Sequence, residues 1–345
     1  MKNTFDENYT VETFAKFVKV DSTTSKCDDV ENLAVNLIEK LGYKAERTHK
    51  GGVIVDLGGE GNPLVVTAHM DDIGLMVRHI NNDGTLKVVT IGGLYPTYSV
   101  AENVRVYTRD GDVFTGVICR KPNSPHVSED ELRKEAGDWT KDVCIVLDQD
   151  VKSKQETEAL GIEVGDIVAL EPRFELQNGY LKSRFIDDKA AVAILFNAMK
   201  TLKEENIKLN RKVYFYFAEY EEIGHGTSYL PEGVKDILAI DIAPVGEEQT
   251  SDEKKVSIFC KDSRFPYHYE FTSELRKIAK DNNIDFVMDI FTPHYGTDCD
   301  TSIVAGYDIR HAAIGFGTAN SHGYERTHVD GLKNTYDLLM ALLLK

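Results

Sequence analysis

One rhythm constrains the fold more than any other feature of the sequence. Short apolar runs alternate with stretches whose apolar residues recur at helical spacing, and this alternation is interrupted once, in the middle. Residues 9–19 and 28–41 carry the helical pattern, as in Val30, Leu33, Ala34, Leu37 and Ile38. The runs VIVDL (53–57) and LVVTAHM (64–70) follow, each bounded by Gly, Asn or Pro. From residue 185 the rhythm resumes: a helix over 189–204, strands 213–218 and 237–243, a helix over 271–281, a strand over 308–316 and a helix over 330–344. Such alternation predicts an α/β fold, a mixed sheet sandwiched by helices.

Residues 73–180 break the pattern. LKVVTI, NVRVYT, VFTGVI, CIVLD and DIVAL are short strand-like runs separated by Gly, Asp and Asn turns, with one helical piece near 152–160. The spacing predicts a small all-β module. The flanking segments share one rhythm, so the module is expected as an insertion into an α/β domain formed by 1–72 and 181–345. A chain of 345 residues is also long for a single core.

Charge narrows the partners. A formal net charge of −17 argues against nucleic acid or an anionic membrane. The apolar run at 338–344 is too short to span a bilayer, and residues 1–10 lack the apolar core of a secretory signal. Five scattered cysteines with no CxxC pair fit a reducing cytoplasm better than a disulfide framework.

Candidate chemistry sits at strand ends. LVVTA runs into His69 and Asp71, a His-x-Asp pair that could hold an ion and orient the imidazole, or could simply form a turn. Asp187 and Asp188 precede an apolar helix, where an N-cap accounts for one carboxylate but does not require both. Strand 213–218 ends in Glu219, Glu221 and Glu222. Two neighbouring glutamates in extended chain point apart, so one could bind an ion while the other handles a water; a solvated loop is the plain alternative. Glu219 finds no task. Asp241 lies inside an apolar strand, where an unpaired carboxylate is costly. His322, Glu325 and His328 follow the last strand. His69, Asp187, Glu222, Asp241 and one C-terminal histidine all fall where open α/β sheets form ligand crevices. Such N/O donors without thiolates suit two borderline divalent ions in a catalytic site.

TAHMDDIG, SRFIDDK, EEIGHG and AIDIAP resemble, in order, four metal motifs of the TET-type dinuclear metallo-aminopeptidases, which include glutamyl and deblocking aminopeptidases. GIEVGDIV and RDGDVFTGVI resemble parts of that family's inserted β domain, and GTDCDT also has a counterpart. The resemblance covers nearly the whole chain. It implies a metal-dependent aminopeptidase acting on peptides through two divalent ions, zinc first and cobalt or manganese as alternatives. Asp187 would bridge the ions, and His69 with Glu222 or Asp241 would complete them. His322 would share the ion of Glu222, Asp71 would orient His69, and Glu221 would be the general base. The insertion, 73–180, would be a β-barrel-like (PDZ-like) module involved in access and in homo-oligomers, dodecamers in the family.

Three positions depart from the family pattern. Lys189 stands where an arginine is usual, and His225 follows the paired glutamates in place of a Leu-Arg pair. His322 lies three rather than four residues before its glutamate; it is preferred to His328 because it keeps its place ahead of Glu325. Other readings stay open: a carboxypeptidase or deacylase of the wider dinuclear-zinc group, and an endoglucanase-like glycosidase. For the latter, adjacent Glu221 and Glu222 are poorly spaced to flank a glycosidic bond.

Overall fold

A computed structural model describes residues 4–121, 124, 126–128 and 134–345. The chain opens with helices α1 (Glu7–Val18) and α2 (Asp28–Lys40) and strands β1 (Ala45–Arg47), β2 (Val53–Gly58) and β3 (Leu64–His69). Six strands follow: β4 (Gly74–Ile80), β5 (Leu86–Ile91), β6 (Asn103–Tyr107), β7 (Val113–Arg120), β8 (Val143–Leu147) and β9 (Ile167–Leu170). Helix α3 (Lys154–Ala159) lies between the last two. The chain continues through β10 (Glu175–Gln177), β11 (Tyr180–Ser183), α4 (Ile186–Glu204), β12 (Val213–Ala218), β13 (Asp236–Pro244) and β14 (Val256–Lys261). It closes with α5 (Tyr269–Asp281), β15 (Phe286–Ile290), α6 (Asp298–Val304), β16 (Arg310–Thr318), β17 (Glu325–His328) and α7 (Val329–Leu343).

Eight strands form a mixed sheet in the order β1-β2-β12-β3-β13-β16-β14-β15. Its centre, β12-β3-β13-β16, is parallel. Parallel strands need cover on both faces, and β13 shows it. Leu238, Ile240 and Ile242 join one apolar cluster, while Ile237, Ala239 and Ala243 join a second. The first cluster contains α4, whose residues from Ala190 to Ala198 are fully buried. A helix apolar on all sides belongs in an interior, and α4 packs between α1 and the sheet. The second cluster includes Cys299 of α6.

β4-β5-β8-β7-β6-β9 close into a barrel, which leaves no open edge among its described strands. β4 and β9 pair at Leu75↔Val168, so the chain enters and leaves the barrel through neighbouring strands. Arg105 of β6 ties it back to the α/β body, with its Nη2 donating to Asp21 Oδ1 at 2.7 Å. The mixed sheet, its flanking helices and the barrel insertion agree with the expected architecture. A three-stranded sheet, β10-β11-β17, was not foreseen. It pairs Ser183 with Glu325 and so carries the C-terminal segment to the start of α4.

Candidate functional site

Strand alternation aims the site. On β3, Val66 and Ala68 face the α4 cluster, so Thr67 and His69 face the other way. On β13 the same parity puts Asp241 beside Ala239 and Ala243, on the His69 side. β12 runs parallel to β3 with Ala218 opposite His69, and the chain then turns through a 3₁₀ segment, Glu221–Ile223. Asp187 comes from the first turn of α4, where Asp187 and Asp188 have non-helical backbone angles and neither supplies the N-cap. Instead, Asp188 Oδ2 accepts the His69 N–H at 3.2 Å.

These residues converge. His69 Nε2 lies 3.1 Å from Asp187 Oδ1, and His322 Nε2 lies 3.6 Å from Asp187 Oδ2 and 3.5 Å from Glu222 Oε2. Two groups of potential ligands result, His69/Asp187/Asp241 and Asp187/Glu222/His322, with donor atoms in each within 4.8 Å of one another. Asp187 belongs to both. Glu221 belongs to neither, and its Oε2 is 3.8 Å from His69 Nε2. Both imidazoles hand their other nitrogen to a carbonyl: His69 Nδ1–H to Asp71 O at 3.0 Å, and His322 Nδ1–H to Gly93 O at 2.9 Å. Each Nε2 therefore faces the cluster and is the nitrogen left for an ion, whose binding would displace any proton shared there with Asp187. The Asp71 carboxylate stands further from the ring, at 3.5 Å from Nδ1, and is engaged by the Thr24 hydroxyl and the Glu221 N–H. His328 lies elsewhere. It caps α7, accepting the Asp330 N–H at 3.0 Å, and packs edge-on against Tyr180.

The electrostatics ask for cations. Burial, then the charge of Asp187, pushes Asp241 up to about 8. Burial also raises Glu222 and Glu221, with neighbouring carboxylates adding to it against the pull of His322 and His69. Asp187 is the exception: burial opposes its charge, but hydrogen bonds from His322 and His69 hold it below the usual carboxylate range. Among the described residues, no Lys or Arg forms an ion pair with Asp187, Asp241, Glu221 or Glu222. So many buried carboxylates can ionise together only with positive charge between them. Oxygen and imidazole donors, no thiolate and a shared carboxylate fit two divalent ions.

Three contributors lay in segments that the sequence pointed to without giving them a role. Glu325 accepts the Asp187 N–H through Oε2 and the His322 N–H through Oε1, both at 3.0 Å. Asp298 accepts from Thr67 at 2.9 Å, and Gly226 passes so close that a Cβ there would meet Asp298 Oδ1 at 1.8 Å. Glu219 is buried rather than solvated, and burial with the neighbouring charge of Glu31 raises it to about 9. Besides the GTDCDT resemblance, a capping box marked the segment holding Asp298, since Thr297 and Asp300 have that spacing and make both bonds. Cavities of about 450 and 420 Å³ open on the cluster and share Asp187, His294, Tyr295 and His322.

The M42 glutamyl aminopeptidase family model matches residues 51–338. The putative aminopeptidase YhfE of Bacillus subtilis is 37% identical over 334 residues, which is 96% of each chain. The chain belongs to the M42 family. Solved structures agree with this M42 fold. An aminopeptidase from the archaeon Desulfurococcus kamchatkensis is 25% identical and superposes with a TM-score of 0.86, covering 98% of this chain and 95% of its own. The TET1 peptidase of Pyrococcus horikoshii is 24% identical with a TM-score of 0.84, covering 97% and 99%. This M42 chain is a metal-dependent aminopeptidase with a dinuclear metal site.

Proposed function

We propose that the chain removes amino-terminal residues from peptides, with His69 and Asp241 holding one divalent ion and Glu222 and His322 the other. Asp187 serves both, and the observation that carries this reading is that its two oxygens face different imidazoles, Oδ1 toward His69 and Oδ2 toward His322. The bound pair would polarise the scissile carbonyl and make a water acidic enough to attack at neutral pH. Glu221, outside both ligand groups, takes the proton of the attacking water and returns it to the departing amine, a role that typically contributes about 10²–10⁴-fold. Asp71 and Glu325 hold Glu221, Asp187 and His322 by their backbone N–H groups. The two cavities supply room for residues on either side of the scissile bond.

The test compares peptides with free and acylated amino termini before and after chelation and on adding back zinc, cobalt or manganese. Cleavage of free termini alone, lost on chelation and restored by metal, supports the reading. Preference for blocked substrates would favour the carboxypeptidase or deacylase, and metal-dependent release of reducing sugar from glucan would favour the glycosidase.

Assembly extends the same reading. The Pyrococcus horikoshii peptidase is described as forming a tetrahedron or a large octahedral shell. We extend a homo-oligomer, the dodecamer, to this chain, checked by light scattering. The five cysteines are all free thiols, which supports the reducing cytoplasm as its compartment. Among the described residues, no helix is long and apolar enough to cross a membrane.

A further inference from the structure

The two histidines facing Asp187 are held by different parts of the molecule. His69 gives its Nδ1–H to Asp71 O, two residues along the same loop, and its side chain is 2% exposed. His322 gives its Nδ1–H to Gly93 O, which lies 229 positions away in the turn after β5, and its side chain is 31% exposed. That turn belongs to the barrel. Its fit is close at both glycines. A Cβ on Gly92 would lie 3.3 Å from Glu222 O, and a Cβ on Gly93 would lie 2.8 Å from His322 Nδ1 and 3.0 Å from Cε1. The barrel therefore touches the His322 ring directly and Glu222 at its main-chain carbonyl. In the first group, the His69 ring is oriented from its own loop.

We propose that the barrel, through the Gly93 carbonyl, is the positioning element for His322 and sets the loading of the Glu222/His322 ion separately from that of the His69/Asp241 ion. This rests on the ligand assignment above. The carbonyl can only accept, so it fixes the proton on Nδ1 and leaves Nε2 to the ion. Partners of this kind typically govern metal affinity by about 10–100-fold. Any shift of the barrel that withdraws the carbonyl releases the ring of the more exposed group first.

Gly93 has a backbone conformation outside the left-handed region, so Gly93→Ala adds a methyl group against the ring without straining φ. Zinc binding to the full-length protein, measured by competition with a chromophoric chelator, would be compared for wild type, Gly93→Ala, His322→Gln and the double variant. The expected result is one zinc per subunit at wild-type affinity in Gly93→Ala and a second weakened about 10–100-fold. In the His322→Gln background, Gly93→Ala should change nothing further, because the ring it acts through is gone. Equal weakening of both ions, an unchanged second ion, or additional weakening in the double variant overturns the proposal.

A measurement on the unmutated protein guards against a variant that folds poorly. Zinc-loaded, ¹⁵N-histidine-labelled protein should show a slowly exchanging ring Nδ1–H that disappears in His322→Gln. Absence of that proton also overturns the proposal. Failure of the ligand assignment looks different: wild type would bind fewer than two zinc ions, or His322→Gln would keep both at full affinity.

Discussion

The carboxylate of Asp71 accepts the backbone N–H of Glu221 at 3.2 Å, although the two residues are 150 positions apart. Its other oxygen accepts the Thr24 hydroxyl at 2.7 Å, so this carboxylate is itself pinned. The residue proposed as general base is thus held at its main chain. An amide in place of Asp71 would turn an N–H toward one of these two donors. Hydrogen bonds to charged groups contribute about 1.5–3 kcal/mol. Asp71→Asn should therefore lower kcat by about 10–100-fold with two metal ions still bound, as read by steady-state kinetics beside metal analysis.

Glu221→Gln separates proton transfer from metal binding. The side chain lies in neither ligand group, so metal content should stay at the wild-type level. Turnover should fall by at least about 10²-fold. Loss of metal together with activity would make Glu221 a ligand, and survival of activity would remove it as the base.

Glu325→Gln should act on metal retention. Its two oxygens each accept one N–H, from Asp187 and from His322, and a glutamine offers only one acceptor for the pair. Metal affinity should fall about 10–100-fold, measured as zinc retained against a competing chelator.

Acid stability has a source at the opposite end of the sheet. Asp236, at the start of β13, is 3% exposed and accepts from Arg310 Nε at 2.7 Å and from Arg211 Nη2 at 2.8 Å. Burial works against its charge, but these bonds outweigh it and lower its pKa. A carboxylate lowered in the folded state stabilises above its unfolded value, about 3.9, and the stabilisation is lost as pH falls through the folded value. Asp236→Asn should be less stable at pH 7 by about 1–3 kcal/mol. In denaturant titrations across pH, the gap should narrow below about pH 4.

How much of this was legible in the sequence depended on how local each signal was. VYFYFA and ILAIDIA are central strands covered on both faces, so their composition alone marks them. Strand β15, FVMDI, is a short edge with three half-buried residues, and its five residues are too few to show a period that separates strand from helix. His69, Asp187, Glu222 and Asp241 were conspicuous because a carboxylate or imidazole beside an apolar run is costly without a partner. Glu325 and Gly93 were not, because what they do depends on groups 138 and 229 positions away. The choice between His322 and His328 likewise turned on packing. Their spacing from Glu325 is equal, but one follows the loop beside Gly93 and the other begins a helix.

The barrel joins the rest of the chain through two strands that lie side by side, β4 and β9. A module attached at adjacent points can be inherited, lengthened or exchanged almost as a cassette, because its loss leaves two ends close enough to rejoin. Lineages would then be free to remodel its outer surface, and with it the company the molecule keeps, while the sheet beneath stays the same. The turn at Gly92 and Gly93 limits that freedom. Whatever else is swapped, a replacement must bring a bare backbone carbonyl to the same place.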